Sequence, residues 1–306
     1  MQVLSLHQAC LAHYGLREMP FSLTPNTDFY IDLPSQKQAF ELVLYALSGG
    51  EGFIKITGEV GTGKTLLCRR LLNHLADQST VTLYLPNPAL DAEGVWRAIA
   101  AELGDEQQDS LPNLQHWIQQ QLLHLAQSSR SVVLLVDEAQ CMPEATLEAL
   151  RLISNLETER RKLLQIVLFG QPELDRMLAQ PSLRQLRQRI TSSAVLNPLD
   201  SVLSLEQYLQ QRLLQAGYQG LPIFSRSACK AIWRASQGIP RLVNVMASKS
   251  LLVGYGAGVQ RLQPRHVRRA INDTEGVQSP RFRWWYWALP ATLALFAMVV
   301  WLEWRA

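Results

Sequence analysis

Cysteine is scarce in this 306-residue chain, and the few that occur are far apart. The four are Cys10, Cys68, Cys141 and Cys229, and no two of them form a C-x-x-C pair. That spacing argues against the disulfide framework of a small secreted domain and against a cysteine zinc site. We therefore expect reduced, partly buried thiols in a protein of the cytosol.

The sequence also lacks a large excess of one charge, a secretory leader and repeated segments. The formal net charge is +3, which by itself does not indicate a nucleic-acid partner. Residues 1–14 show no basic stretch followed by an apolar core, so no signal peptide is predicted. Hydrophobic residues make up 47% of the chain and charged residues 18%, a mixture that can bury a core. The length fits one α/β domain, a smaller helical domain and a short appendage.

Charged residues are absent from one long stretch near the C-terminus, residues 284–302 (WWYWALPATLALFAMVVWL). As a helix this stretch would span about 28 Å, the thickness of a bilayer core. Tryptophans flank it, and Arg281 and Arg283 precede it, which is typical of a membrane helix whose N-terminal side faces the cytoplasm. A buried core helix or an interfacial helix is the alternative, but an interfacial helix would show a charged face. We expect one transmembrane helix over 284–304 after a linker over 276–283.

Short apolar strands alternate with amphipathic helices over the first 200 residues, which predicts a parallel sheet with helices on both faces. The predicted strands cover 53–57, 81–85, 132–136, 164–169 and 194–196. The predicted helices cover 35–48, 65–76, 93–103, 114–127 and 145–156. Strand signals stop after Pro198, and further helices are predicted near 201–216, 225–236, 240–253 and 264–274. The expected fold is an α/β domain over 1–200 and a small all-helical domain over 201–275.

A glycine-rich loop between the first predicted strand and the helix after it carries the strongest chemical signal. Its pattern, G-x-x-x-x-G-K-T, lets backbone N–H groups turn toward phosphate oxygens, and the following helix adds its positive N-terminal end. Lys64 is expected to reach the β- and γ-phosphates of ATP, and the Thr65 hydroxyl to coordinate Mg²⁺. The sequence therefore predicts a P-loop ATPase. The loop residues are Gly58, Glu59, Val60, Gly61, Thr62, Gly63, Lys64 and Thr65.

Two adjacent carboxylates follow the apolar run 132–136, at the end of a predicted buried strand. In α/β folds the carboxyl ends of the strands are the edge at which ligands bind. Asp137 is expected to hold Mg²⁺ through water, and Glu138 to act as the general base for the water that attacks the γ-phosphate. An Asp-Glu pair alone is common on protein surfaces, so its position after a buried strand and downstream of a phosphate loop gives it this meaning.

The order of these features resembles the AAA+ ATPases, and more narrowly the secretion ATPases of the ExeA/GspA type. The matching blocks are YGLREMPFSLTPNTDFY (14–30), EGFIKITGEVGTGKTLLCRRLL (51–72), LLVDEAQ (134–140), LFGQPEL (168–174), LRQRI (186–190) and GIPRLVN (238–244). The block 51–72 is most similar to the ATPase of the mannose-sensitive haemagglutinin (MSHA) type IV pilus system. The resemblance implies an inner-membrane ATPase, with a cytoplasmic body, that assembles as a homo-oligomeric ring and moves pilus or secretion proteins.

The same resemblance implies roles for residues that local patterns do not single out. Gln171, after the strand 164–169, matches the first sensor of the γ-phosphate. Arg241 matches a second sensor that reaches the nucleotide from the helical lid. Arg189 matches an arginine finger offered to the neighbouring subunit, with Arg184 and Arg187 as nearby alternatives. Outside this resemblance, each would be an ordinary capping or solvated residue.

Two further expectations come from the same comparison with the family. The segment 19–21 (Met-Pro-Phe) resembles the part that borders the adenine in relatives, although plain hydrophobic packing explains it equally well. Relatives of the ExeA kind continue past the membrane span into a peptidoglycan-binding domain, whereas this sequence ends at Ala306. A separate partner protein could supply binding to the cell wall.

Two other interpretations stay open at the level of sequence. Transposition ATPases of the TniB kind are related, bind DNA and lack a membrane anchor, and the basic residues Arg261, Arg265, Arg268 and Arg269 could contact phosphates. A nucleotide-gated scaffold would bind ATP with little turnover, but the intact Glu138 argues against it. Because a transposition factor has no use for the apolar stretch 284–302, we expect no nucleic-acid partner.

Overall fold

The described part of the protein consists of a parallel sheet with helices on both faces and a separate group of helices. The computed structural model describes residues 6–22, 30–76, 79–86, 88–104, 110–158 and 161–274. The strands are β1 (Phe53–Gly58), β2 (Thr80–Leu85), β3 (Ser131–Val136), β4 (Gln165–Gly170) and β5 (Ile190–Leu196). The helices of the first part are α1 (Leu6–Tyr14), α2 (Pro34–Ser48), α3 (Lys64–Ala76), α4 (Ala92–Glu102), α5 (Leu111–Gln127), α6 (Glu144–Ile153), α7 (Pro172–Leu178) and α8 (Arg184–Arg189). The lid helices are α9 (Val202–Gln215), α10 (Arg226–Ser236), α11 (Pro240–Gly256) and α12 (Pro264–Asn272).

The strand order β2-β3-β4-β1-β5 decides which loops meet. All neighbouring strands are parallel, and β4 lies between β1 and β3 although it follows both in sequence. Thr57 near the end of β1 pairs with Gly170, and Val136 at the end of β3 pairs with Leu168. The segments that follow β1, β3 and β4 therefore emerge side by side at one edge of the sheet.

Two apolar cores cover the two faces of the sheet, as the continuous apolar runs predict. Side chains of β3 alternate between them: Leu134 lies in the core formed with α4, α5 and α6, and Leu135 in the core formed with α2 and α3. Both residues are completely buried. The expected α/β architecture of the nucleotide-binding part is confirmed by this sheet and its two helical layers.

A third core belongs to the lid and to the N-terminal segment. The Tyr14 hydroxyl donates to the Leu251 carbonyl at 3.2 Å, and the ring of Phe21 meets that of Phe224 edge to face at 6.0 Å between centroids. Residues 6–22 thus pack on the lid, whereas the domain boundary drawn from the sequence placed them with the sheet. The physical reason is that a few short helices enclose little apolar volume, and the N-terminal segment completes their core.

The short helices α1, α7 and α8 and most of β5 were not predicted from the sequence. Helix α8 has six residues and buries only Leu186, and α7 has seven, so neither is long enough to show a helical period. β5 begins at Ile190, four residues earlier than predicted. It is an edge strand, and the serines at 192 and 193 interrupt the apolar run by which a strand is predicted.

The membrane segment predicted from the sequence lies beyond the described part of the chain. Both the linker 276–283 and the span 284–304 fall outside the described residues. Within the described ranges, no helix combines the length and the apolar character needed to cross a bilayer. Transmembrane anchoring therefore remains a sequence-based prediction.

Substitution of two lid glycines by alanine should have opposite effects on the stability of the protein. Gly238 has φ +75°, and a Cβ there would lie 2.2 Å from the Leu199 carbonyl oxygen. We expect Gly238→Ala to lower the free energy of unfolding by about 2–5 kcal/mol, through left-handed strain and overpacking. Gly256 ends α11, and its Cβ would meet nothing within 4 Å, so Gly256→Ala should raise stability by about 0.5–1 kcal/mol. Urea unfolding of both variants checks this, and a Gly238→Ala protein as stable as Gly256→Ala would contradict it.

Candidate nucleotide site

The loop between β1 and α3 has a conformation that its glycines make possible. Gly61 and Gly63 adopt φ values of +87° and +99°, which are open mainly to glycine. Space is equally restrictive, since a Cβ on Gly63 would lie 2.3 Å from Nε2 of Gln36. The Thr62 N–H donates to the Glu59 carbonyl at 3.3 Å and closes the loop on itself. The predicted phosphate loop is therefore a tight turn that leads directly into a helix.

Lys64 is the first residue of α3 and is almost fully buried, with 5% of its surface exposed. Its Nζ donates to the carbonyl oxygens of Gly58 at 2.8 Å and of Glu59 at 3.2 Å. Burial lowers the pKa of Lys64 below its usual value, and the nearby carboxylates of Glu138 and Asp137 act in the opposite direction. A cation held under a glycine-rich turn, at the positive end of a helix, is well placed to bind phosphate.

Gln36 braces this loop and was missed by the sequence analysis. It lies on α2, is 3% exposed, and its Nε2 donates to the Thr62 carbonyl at 2.8 Å. That bond fixes one of the loop's peptide groups. No local signal marks Gln36, because it is 26 residues before its partner and its helix shows only a generic apolar period.

Thr65 and Asp137, the two predicted ligands of Mg²⁺, lie side by side. Asp137 is 2% exposed, its Oδ1 accepts the N–H of Glu138 at 3.0 Å, and the Thr65 hydroxyl bonds to its carboxylate. Burial raises the pKa of Asp137, and the bond from Thr65 acts against that shift. Mg²⁺ takes one or two protein oxygens and completes its shell with water and phosphate, so this pair fits it. No cluster of three His, Cys, Asp or Glu that could hold a metal alone occurs among the described residues.

Glu138 directly follows Asp137 and has an unusual backbone. Its φ of +52° and ψ of +40° are left-handed, a conformation that costs a non-glycine residue about 1–2 kcal/mol. Its Oε2 accepts hydrogen bonds from Nε2 of Gln140 at 2.5 Å and from Nε2 of Gln171 at 3.1 Å. Burial opposes ionisation, but these two amides and Lys64 outweigh it, and the pKa of Glu138 is lowered. Glu138 is thus ionised at neutral pH, as a base must be.

Gln171 reaches the same point from the neighbouring strand. It follows β4 and is the N-cap residue of α7, whose first residue is Pro172. Because β4 lies between β1 and β3, the Gln171 side chain faces the loop that carries Glu138. The predicted first sensor and the predicted base are therefore in direct contact.

A cavity of about 340 Å³ adjoins the phosphate loop and is large enough for a small ligand. Glu138, Lys64 and Thr65 line its inner end. The rest of its wall comes from the phosphate loop and α3, the N-terminal part of the chain and the lid; of the lid residues, the sequence pointed to Arg241 alone. These further lining residues are Ser22, Ile31, Leu33, Gln36, Val60, Gly61, Gly63, Leu66, Tyr208, Arg212, Pro240, Arg241 and Asn244.

The segment 19–21, expected beside the adenine, contributes to the cavity only indirectly. Phe21 is 2% exposed and packs in the lid core. The Pro20 carbonyl accepts a hydrogen bond from Nε of Arg212 at 2.7 Å, and Arg212 is the residue that lines the cavity. Ile31 and Leu33 are the apolar residues of this region that reach the wall, so they are the better candidates for contact with a base.

Arg241 connects the lid to the phosphate loop. Its backbone N–H, at the start of α11, donates to the Gly61 carbonyl at 3.1 Å, and its side chain lines the cavity. A Cβ on Gly61 would lie 2.7 Å from the Arg241 Cβ, so glycine at 61 also permits this close approach. The predicted second sensor thus stands at the boundary between lid and loop.

Arg189 is placed far from the cavity of its own chain. It ends α8 immediately before β5, and the start of β5 pairs with Phe53, whereas the end of β5 pairs with Gly58. A strand of this length separates Arg189 from the phosphate loop by about 20 Å. Its Nη1 donates to Ser154 Oγ at 3.2 Å, and Arg184 and Arg187 are exposed nearby. None of the three arginines is positioned to serve the site of its own chain.

The sequence is similar to a known protein family and to a secretion protein. Residues 47–178 match the family described as an AAA domain. Over 268 residues, 87% of this chain, the sequence is 41% identical to general secretion pathway protein A of Aeromonas hydrophila. The match covers 48% of that protein, so this chain spans about half the length of the relative.

Solved structures share the fold at low sequence identity. Cdc6p of Pyrobaculum aerophilum superposes with a TM-score of 0.61 and 19% identity, over 83% of this chain and 70% of that one. The ORC2 protein of Aeropyrum pernix gives a TM-score of 0.58 and 16% identity, over 79% of this chain and 67% of that one. At these identities the similarity concerns the fold alone.

Proposed function

We propose that this chain, which belongs to the AAA ATPases of the type found in general secretion pathway protein A, hydrolyses ATP with Mg²⁺. Hydrolysis would drive assembly or remodelling of a secretion or type IV pilus apparatus. The observation that carries the ATPase part is the meeting of Lys64, Asp137 and Glu138 at one edge of the sheet, beside a cavity lined in part by the lid. These groups supply a phosphate-binding cation, a metal ligand and a base.

Each group has a defined task in the proposed reaction. The loop N–H groups and Lys64 bind the β- and γ-phosphates, while Thr65 and Asp137 would hold Mg²⁺. The metal, when bound, neutralises phosphate charge. Glu138 accepts a proton from the attacking water as the new oxygen–phosphorus bond forms and the bond to the β–γ bridging oxygen breaks, which releases ADP and phosphate.

Replacement of Glu138 tests the reaction. Glu138→Gln keeps the shape of the side chain but removes the base, so turnover should fall at least about a hundredfold while ATP affinity stays within a few-fold. Steady-state phosphate release and binding of a fluorescent ATP analogue measure the two quantities. Glu41→Gln, on the exposed side of α2, is a matched control and should leave both unchanged. A Glu138→Gln protein that turns over at the parental rate would rule out Glu138 as the base.

Self-association is part of the proposal, because the candidate arginine finger lies away from its own site. Arg189 sits at the edge of the sheet opposite the phosphate loop, where it can be offered to the site of a second copy. Such a finger stabilises charge on the transferred phosphoryl group and contributes roughly 10³–10⁵ in rate. A ring or other homo-oligomer would bring these two surfaces together.

Mixing two inactive variants tests the finger. Arg189→Ala retains its own phosphate loop, and Lys64→Ala still offers Arg189, so a mixture should recover part of the activity that neither has alone. Arg130→Ala, an exposed arginine beyond α5, is the control and should keep full activity. If mixed oligomers that contain both variants stay inactive, Arg189 is not a finger offered in trans, and Arg184 and Arg187 should be put through the same test.

Membrane anchoring is the second part of the proposal and is supported by residues 284–302. The 306-residue chain should sediment with inner membranes and resist carbonate, with the ATPase body in the cytoplasm and a reporter fused after Ala306 on the far side. Leu295→Arg places a charge near the middle of the apolar stretch, at a cost of about 3 kcal/mol, and should weaken retention. Release of the unmodified chain by carbonate would instead indicate a peripheral segment.

A role in pilus biogenesis is the most specific component of the proposal, and the resemblance of 51–72 to the MSHA system supports it. Affinity purification from membranes should recover pilus or secretion proteins.

The second candidate, a DNA-binding ATPase, is favoured by one observation: four arginines of the lid are all exposed. They are Arg261, Arg265, Arg268 and Arg269. Retention of the chain on duplex DNA, with an affinity that falls steeply as salt rises, would support that alternative.

A further inference from the structure

Gln140 makes an unusual pair of contacts next to the base. The left-handed backbone of Glu138 turns the chain into a short 3₁₀ helix, Ala139–Cys141, and directs the Gln140 side chain back toward the sheet. Its Nε2 donates to Oε2 of Glu138 at 2.5 Å, and its Oε1 accepts the backbone N–H of Gln171 at 2.9 Å. One amide thus joins the segment after β3 to the segment after β4.

The network fixes the orientation of this amide. The backbone N–H of Gln171 can only donate, so it requires the oxygen of the Gln140 side chain. The nitrogen must then face Glu138, where it can only donate. A flipped amide would put two donors together at one end and two acceptors at the other. Gln140 is therefore held as a hydrogen-bond donor toward the carboxylate.

This arrangement treats the two oxygens of Glu138 differently. Oε2 accepts both amides, from Gln140 and from Gln171, whereas Oε1 makes no hydrogen bond within the described part of the chain. Glu138 also lines the cavity beside Lys64. One oxygen is anchored to the protein, which leaves the other to accept a hydrogen bond from water.

We propose that Gln140 is a positioning residue for hydrolysis, which holds Glu138 through Oε2 so that Oε1 orients the attacking water. This role rests on the proposed function, in which Glu138 is the base. The strained backbone of Glu138 supports it, because such strain persists only where the surroundings impose it. Gln140 acts through Glu138 and Gln171, and it is not among the residues that line the cavity.

Two substitutions at position 140 separate positioning from structural support. Gln140→Leu removes both hydrogen bonds at similar volume. Gln140→Glu keeps an acceptor for the Gln171 N–H but replaces the donor to Glu138 with a second carboxylate, which repels that of the base. For both variants we expect kcat to fall by about 10–100-fold while KM for ATP stays within about three-fold, because a positional error affects the transition state more than binding. Gln119→Leu, an exposed glutamine of α5, should leave both constants unchanged.

A double substitution shows whether Gln140 acts through Glu138. With Glu138→Gln as background, Gln140→Leu should cause no further loss of turnover, since the group that it positions is already gone. If Glu138→Gln itself is active, Glu138 is not the base and the proposed function fails. If Glu138→Gln is inactive but Gln140→Leu and Gln140→Glu turn over at the parental rate, only the positioning role of Gln140 fails. Faster turnover in these variants, a rise in KM that accounts for the whole loss, or additive losses in the double variant would also overturn it.

Discussion

The site depends on one topological constraint: β4 lies between β1 and β3 in a sheet whose strands are all parallel. Strands that are distant in sequence therefore end side by side. The phosphate loop follows β1, Asp137 and Glu138 follow β3, and Gln171 follows β4. Because the strands are buried on both faces, a shift in register would move apolar side chains out of two cores at once. The apolar packing of the sheet thus holds charged groups at fixed separations.

The second constraint is the close approach of the lid to the phosphate loop. The Arg241 N–H bonds to the Gly61 carbonyl, and only a glycine at 61 leaves room for this contact. The N-terminal segment packs into the lid core, Ile31 and Leu33 line the cavity, and Gln36 of α2 bonds to the Thr62 carbonyl of the loop. The nucleotide cavity is therefore bounded by elements of both cores. A ligand that changes the loop would act directly on the lid.

Local sequence was sufficient for the parts of the site that one continuous segment forms. The phosphate loop needs a strand, glycines that accept positive φ, and a helix that begins at Lys64, and all of these are successive in the chain. The Asp137-Glu138 pair is likewise placed by the single apolar strand before it. The large helices followed from their apolar periods. Short elements such as α8 did not, because six residues hold less than two helical turns.

Contacts across the sequence were decided by the tertiary structure alone. Gln36 carries no pattern that distinguishes it from other glutamines, and Gln140 ends the block LLVDEAQ without a role attached to it. Each gains its role from a partner that the fold brings close. The N-terminal segment reads as part of the sheet domain because it precedes β1, yet its apolar side chains complete the lid core. The sequence by itself determined the nucleotide loop, the acidic pair and the α/β class, since each is encoded in consecutive residues. The anchoring of the base and the walls of the cavity required the fold, because hydrogen bonds and burial depend on distance in space and not on position in the chain.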